Sequence, residues 1–204
     1  MAAKDVVALD PQKRERRKQI LAAAKHVFAE AGYHGASINA IIERAEIARG
    51  TFYLYFESKS AVFSSILDQA MTDLRARMHR IEVDDPAAAP PQVQLRAQVV
   101  AALDYVVQDR PLAMLLLSAG HTPDAEAAER LDQFFGEVRD LLRRAFETGQ
   151  DIKLLRKVQP ELAAAAMLGM IRGVVELLVN SPTPPKVDSV VDELLLVALR
   201  GVLA

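Results

Sequence analysis

The stretch Ala48–Val62, "ARGTFYLYFESKSAV", puts Phe52, Tyr53, Tyr55 and Phe56 within five residues. The whole chain has only seven Phe, four Tyr and no Trp, so this clustering beside Arg49 and Lys59 calls for a reason. On a wheel of about 100° per residue, Phe52 and Phe56 fall about 40° apart and share one face. Gly50, Thr51 and Leu54 point away from them, with Tyr53 and Tyr55 on opposite flanks. Such an outward face is neither a core face nor the charged face of an ordinary surface helix. It suits close approach to DNA, where glycine removes bulk and hydroxyls donate to phosphates.

The flanking sequence supplies what such a helix needs. Upstream, Ser37 is placed to cap a helix "INAIIERA" that turns Ile38, Ile41, Ile42 and Ala45 inward. A short break, "EIA", leads into a helix of about Ala48 to Phe56. Asp10 and Pro11 read as the N-cap and first-turn proline of a helix of about 11–31. It carries Ile20, Ala24, Val27, Phe28 and Ala31 along one stripe, and Gly32 is its stop. Two short helices joined by a tight turn and backed by a longer one form a helix-turn-helix. Downstream, Ser58 caps a fourth helix to about residue 80. Lys59 then lies in its first turn, where a lysine opposes the macrodipole unless a phosphate docks there.

Beyond this point the pattern stays helical and the fold class is all-α. "EVDDPAAAPPQVQ", Glu82–Gln94, has three prolines and reads as a boundary or mobile connection. Helices follow at about 93–109, 111–120, 125–147, 160–179 and 189–203, the last capped by Ser189 with Asp192.

Composition narrows the function. Residues 1–60 carry ten Lys/Arg against seven Asp/Glu, and residues 61–204 carry fifteen against twenty. Five of those cations lie in "KRERRK", Lys13–Lys18, which suggests one polyanion-facing end on an acidic protein. There are no cysteines, so disulfide frameworks and thiolate metal sites are excluded. The longest apolar run, Leu162–Ile171, is ten residues, well short of the about 20 that span a bilayer, and no secretory signal is visible. A cytoplasmic protein without membrane contact is expected.

His26, His34, His79 and His121 lack metal-ligand spacing. Ser118, His121 and Asp124 form a local trio rather than a triad assembled from distant segments. No G-x-G-x-x-G motif or P-loop occurs. Neither an enzyme nor a cofactor or metal is expected.

Residues 14–74 resemble the DNA-binding domain of TetR-type (TetR/AcrR) transcriptional regulators. The resemblance runs through "RKQILAAAKHVFAEAGYHGASINAIIERAEIARGTFYLYFESKSAVFSSIL". It implies an arm and helix-turn-helix domain over 1–57, with the motif itself at about 37–56. A connecting helix over 58–81 and a ligand-binding and dimerisation domain over 82–204 would follow. It also implies a regulator, most simply a repressor, that leaves double-stranded operator DNA when a small hydrophobic effector binds. Ser37, Asn39, Arg49, Gly50, Thr51, Tyr53, Tyr55 and Lys59 would meet DNA, with Lys59 anchoring a phosphate. The family usually has glycine where Glu46 stands. A positive φ is therefore expected there, at a cost to glutamate of about 1 kcal/mol.

"ETGQDIKLLRKVQPELAAAAMLGMIRGVVELL" resembles the segment leading into the dimerisation helices of these regulators. Gly169 and Gly173 permit close helix approach, and Arg172 with Glu176 could pair locally or across a two-fold axis. The expectation is a homodimer through helices 160–179 and 189–203. The effector region falls among residues 93–179, with Tyr105, Met114, His121, Phe134, Phe135, Met167 and Met170 as lining residues. A helical adaptor that binds a partner protein without reading DNA is the alternative.

Overall fold

The computed structural model describes residues 11–118 and 124–200, with side chains to residue 198. The expectations for Asp10 and His121 lie outside the described residues. All regular structure among those described is helical: α1 Pro11–Gly35, α2 Ile38–Arg44, α3 Arg49–Tyr53, α4 Lys59–Arg75, α5 Pro91–Gln108, α6 Arg110–Leu117, α7 Ala125–Asp151, α8 Pro160–Asn180 and α9 Val187–Arg200.

Local chemistry sets most of the boundaries. Ser37 Oγ accepts from the Ala40 N–H at 3.1 Å and Ser58 Oγ from the Ala61 N–H at 3.0 Å. Asp109 and Asp124 cap α6 and α7 in the same way. Inside α1, Gly32 sits at φ 66°, ψ 170°, a conformation reserved for glycine, so the regular helix stops there and one turn re-forms beyond it. That break swings Tyr33 into the core, where its ring meets Phe28 and Phe63 at centroid distances of 5.6 and 4.9 Å.

Several ends differ from the sequence expectation. α3 stops at Tyr53 instead of Phe56, because the N–H groups of Leu54 and Tyr55 bond to Thr51 and Phe52, three residues back, tightening the last turn. α4 stops at Arg75, where Arg77 folds back to donate to the Asp73 carbonyl at 2.5 Å. α6 stops at Leu117. α7 continues past the expected end near residue 147 to Asp151, with Gly149 inside it. This glycine is buried under Leu155, and a Cβ there would come within 2.6 Å of the leucine. α9 starts at Val187, so Ser189 is not its cap. Asp192 instead accepts from Arg96 Nε at 2.6 Å, a contact that holds its carboxyl below the usual carboxylate range. The Glu82–Gln94 segment, expected as a boundary or mobile connection, is tied down by Gln94, which bonds both backbone groups of Glu82 and the Ala89 carbonyl.

α1 packs on α2, α4 and α6, α4 packs on α7, α7 on α8, and α5 on α9. Most of the buried side chains form one continuous cluster, from Ile20, Ile41, Phe52 and Val62 through Leu112 and Leu131 to Val191. Ion pairs cross between its parts: Lys25 with Asp109, Arg75 with Glu137, and Arg130 with Asp68.

Glu46 takes φ 50°, the left-handed turn expected for it. Glu46→Gly should therefore raise unfolding stability by about 0.5–1 kcal/mol. Gly32→Ala should lower it by about 1–3 kcal/mol. Urea denaturation reads both changes, and a loss of stability in Glu46→Gly would contradict the turn geometry.

Candidate nucleic-acid interface and effector cavity

α3 is divided as its wheel implies. Phe52 is fully buried and Phe56 is buried beside it, their rings 6.1 Å apart. On the other side Arg49, Gly50 and Tyr53 are exposed and Thr51 is half-buried. Leu54 is 82% exposed. Arg49 Nη1 donates to Asn39 Oδ1 at 3.3 Å, and its guanidinium lies 5.9 Å from the Tyr53 ring centre. The start of α2 and the outward side of α3 thus form one polar surface, which also includes Ser37. Tyr55 departs from the expected flank: it is half-buried and packs against the core.

Lys59 also departs from expectation. Its ammonium donates to the carbonyls of Tyr33 and Ala36 at 2.7 and 3.0 Å and lies 4.3 Å from the Tyr33 ring centre. It closes the α1–α2 turn, leaving one N–H direction for an outside acceptor. Next to it, Glu126 at the start of α7 accepts from Ser60 Oγ at 2.5 Å and from the Tyr33 hydroxyl at 3.3 Å. Burial, reinforced by the charge of Glu126, pushes the Tyr33 hydroxyl up to about 12.

Two residues absent from the sequence-based set belong here. Leu54 offers an apolar tip of the kind that meets thymine methyls. Arg17 lines an open groove together with Tyr53, Leu54 and Tyr55. The wheel already placed Leu54 outward, and the basic run contained Arg17, but neither signal says which neighbour lies alongside.

A second feature lies among α4–α8. A cavity of about 130 Å³ is walled by Leu74, Leu103, Leu116, Phe134, Phe135, Leu168 and other apolar residues, with Arg172 as its charged member. Of the seven residues expected to line an effector site, Phe134 and Phe135 do so. Met114, Met167 and Met170 are half-buried elsewhere. Tyr105 turns toward the end of α4, its hydroxyl donating to Asp73 Oδ2 at 3.0 Å and the Arg77 guanidinium 4.2 Å from its ring centre. Burial, then the Asp73 bond, raises its hydroxyl pKa. Arg172, expected to pair with Glu176 locally or across a two-fold axis, also reaches the cavity wall. Its guanidinium lies 4.7 Å from the Phe135 ring centre, on the cavity side of α8.

On the opposite side of α8, Gly169, Gly173 and Glu176 are exposed together with Leu162 and Leu177. A Cβ at either glycine would meet nothing within 4 Å. Leu196 and Val197 continue an exposed apolar strip on α9. Among the described residues no cluster of three or more His, Asp or Glu side chains could hold a metal ion.

The family model described as bacterial regulatory proteins of the tetR family matches residues 20–66, the span of α1 to α4 just described. A tetracyclin repressor-like C-terminal domain model matches residues 88–176. The chain belongs to the TetR family. The HTH-type transcriptional repressor KstR of Mycobacterium tuberculosis is 32% identical over 138 residues, covering 67% of this chain and 61% of that protein. The match therefore spans less than two thirds of that relative's length. The fatty acid degradation regulator FadR from Bacillus halodurans superposes with a TM-score of 0.74 at 23% identity, over 91% of this chain and 95% of that one. FadR from Bacillus subtilis, solved in complex with stearoyl-CoA, gives 0.74 at 22% identity, over 90% and 98%. These two structures establish the shared TetR fold.

The two sides of α3 separate on mutation. Phe52→Ala should cost about 3–5 kcal/mol of stability. Tyr53→Ala should stay within about 1 kcal/mol of the parent. Lys59→Met, which strips two carbonyls of a charged donor, should cost about 1–3 kcal/mol. Thermal or urea unfolding measures all three, and a loss in Tyr53→Ala equal to that in Phe52→Ala would abolish the division into two faces.

Proposed function

We propose that this protein is a ligand-responsive, sequence-specific DNA-binding transcriptional regulator that works as a homodimer, most simply as a repressor. The observation that carries the reading is the outward face of α3. Arg49, Gly50, Thr51, Tyr53 and Leu54 stand clear of a core that holds Phe52 and Phe56. Asn39 and Ser37 adjoin them. Arg49 reaches base edges, Thr51 and the tyrosine hydroxyls meet phosphates, and Lys59 directs its remaining N–H to a phosphate near the α1–α2 turn. The reading region is residues 1–57, α4 connects it, and residues 82–204 bind effector and partner. KstR, named a transcriptional repressor, supports the sign of the regulation.

The effector is a small hydrophobic molecule, and its site is the cavity walled by Phe134 and Phe135. At about 130 Å³ the cavity is below the roughly 300–1,000 Å³ of occupied ligand sites, so binding must spread its walls. Leu74 and Met78 near the end of α4 are among those walls. Spreading them moves the helix whose other end abuts the reading unit. A ligand that binds this spread state better than the DNA-bound state shifts the population away from DNA.

The partner is a second copy of the chain, seated on the exposed stripe of α8 and α9. By length and mean hydropathy (1.9) α8 alone would also pass for a membrane span. The adjoining exposed face of α9, where Leu196 and Val197 lie beside Glu193, favours a helical partner over lipid. The site of action is the cytoplasm, where bacterial DNA is reached.

Selection from a random duplex pool should yield one preferred sequence with two half-sites about 34–36 Å apart. Binding without sequence preference would favour the adaptor alternative. Gly173→Arg adds bulk where the chain itself offers no clash. Sedimentation should show monomers with unchanged helicity, and a persisting dimer would move the interface elsewhere.

A further inference from the structure

We propose that the first turns of α1 form a second DNA-contacting surface, in which Lys13, Arg16 and Arg17 hold backbone phosphates flanking the segment read by α3. The proposal rests on the regulator reading above and extends its footprint beyond the helix-turn-helix.

The basic run Lys13–Lys18 is not a loosely solvated helix start. Gln19 Nε2 donates to the Ala45 carbonyl at the end of α2 at 2.7 Å, and Arg16 Nη1 donates to Gln19 Oε1 at 2.7 Å. Arg17 Nη2 donates to Ser65 Oγ at 3.0 Å, and its guanidinium lies 5.1 Å from the Phe56 ring centre. The start of α1 is thereby fastened to the far end of α2, the residues just beyond α3 and the flank of α4. Arg17 opens into the same groove as Tyr53, Leu54 and Tyr55, so the basic start of α1 adjoins the outward side of α3 through Arg17.

Electrostatics points the same way. Cations at the N-terminal end of a helix work against its macrodipole, and like charges one turn apart repel. Lys13 and Arg17 are such a pair, and α1 has no acid in its first turn. The arrangement is unfavourable in the isolated chain and becomes favourable beside a polyanion. A guanidinium has five N–H donors, so Arg16 and Arg17 keep donors beyond those used to fasten them. Such contacts fix position and add salt dependence without carrying sequence information.

The test uses a duplex selected by the full-length protein from a random pool, with binding followed by fluorescence anisotropy between about 50 and 200 mM salt. Lys13→Gln with Arg16→Gln alters exposed side chains only, and its melting temperature is checked alongside. The slope of log K against log salt should become shallower by about 0.9 for each phosphate that the variant no longer neutralises, while the preferred sequence stays the same. Trimming the duplex ends flanking the read segments should flatten the parent's slope toward that of the variant. An unchanged slope in the double variant, with Thr51→Ala or Tyr53→Ala still weakening binding, would overturn the α1 proposal and leave the regulator reading intact. If the parent selects no sequence at all, the regulator reading fails and the α1 surface fails with it.

Discussion

A helix of five residues has no stability of its own, since nucleation alone costs more than one or two hydrogen bonds return. α3 exists because Phe52 is wholly buried and Phe56 closes the turn after it. That anchor fixes the azimuth of the helix, and with it the directions of Arg49, Thr51, Tyr53 and Leu54. The supporting structure is built toward the same end. Gly32 breaks α1 so that Tyr33 can join Phe28 and Phe63, and Lys59 then ties the carbonyls of the resulting turn. Glu46 accepts a left-handed backbone so that α2 and α3 can meet at the required angle.

The features legible in the sequence were those decided within a few residues. Ser37 and Ser58 cap where a serine precedes an apolar run, Gly32 stops α1, and the spacing of Phe52 and Phe56 gives the core side of α3. What escaped was set by distant partners. Periodicity ends α7 at about residue 147, yet the helix runs to Asp151 with Leu155 packed on Gly149. Asp192 reads as a cap, yet Arg96, far away in sequence on α5, claims its carboxylate. Lys59 reads as a phosphate anchor at the start of α4, but two of its donors are taken by carbonyls on the turn between α1 and α2. Arg172 and Glu176 share a helix surface by spacing, but spacing alone does not show that the Arg172 guanidinium lies over the Phe135 ring of α7. Periodicity tells which residues are covered and is silent about what covers them. For that reason the division of α3 into a buried and an exposed side was legible, while only Phe134 and Phe135 of the expected lining set border the cavity.

The two working regions are joined along several lines. α4 runs for seventeen residues, about 25 Å, from the reading unit to the cavity wall at Leu74. Lys25 of α1 pairs with Asp109, which also caps α6, and α6 sends Leu116 to the same wall. Glu126 at the head of α7 grips Tyr33 and Ser60 beside the turn held by Lys59. The cavity wall is therefore connected to the helix-turn-helix unit through α4, α6 and α7 together.

These lines are not equal in strength. Arg75–Glu137 and Arg130–Asp68 have at least one partner well exposed, and such pairs contribute about 0–1 kcal/mol each. They orient α4 on α7 but hold it weakly. The stronger link is the apolar packing that continues from Phe63 and Leu67 through Leu112 and Leu131 without a gap. A close-packed interior does not deform smoothly, and small shifts at one wall are passed on as a change between discrete packings. The cavity beside Phe134 is a local relaxation of that packing, lying where α4, α7 and α8 converge. Filling it acts on the packed core directly. Adding or removing a surface ion pair only biases the geometry that the core already dictates.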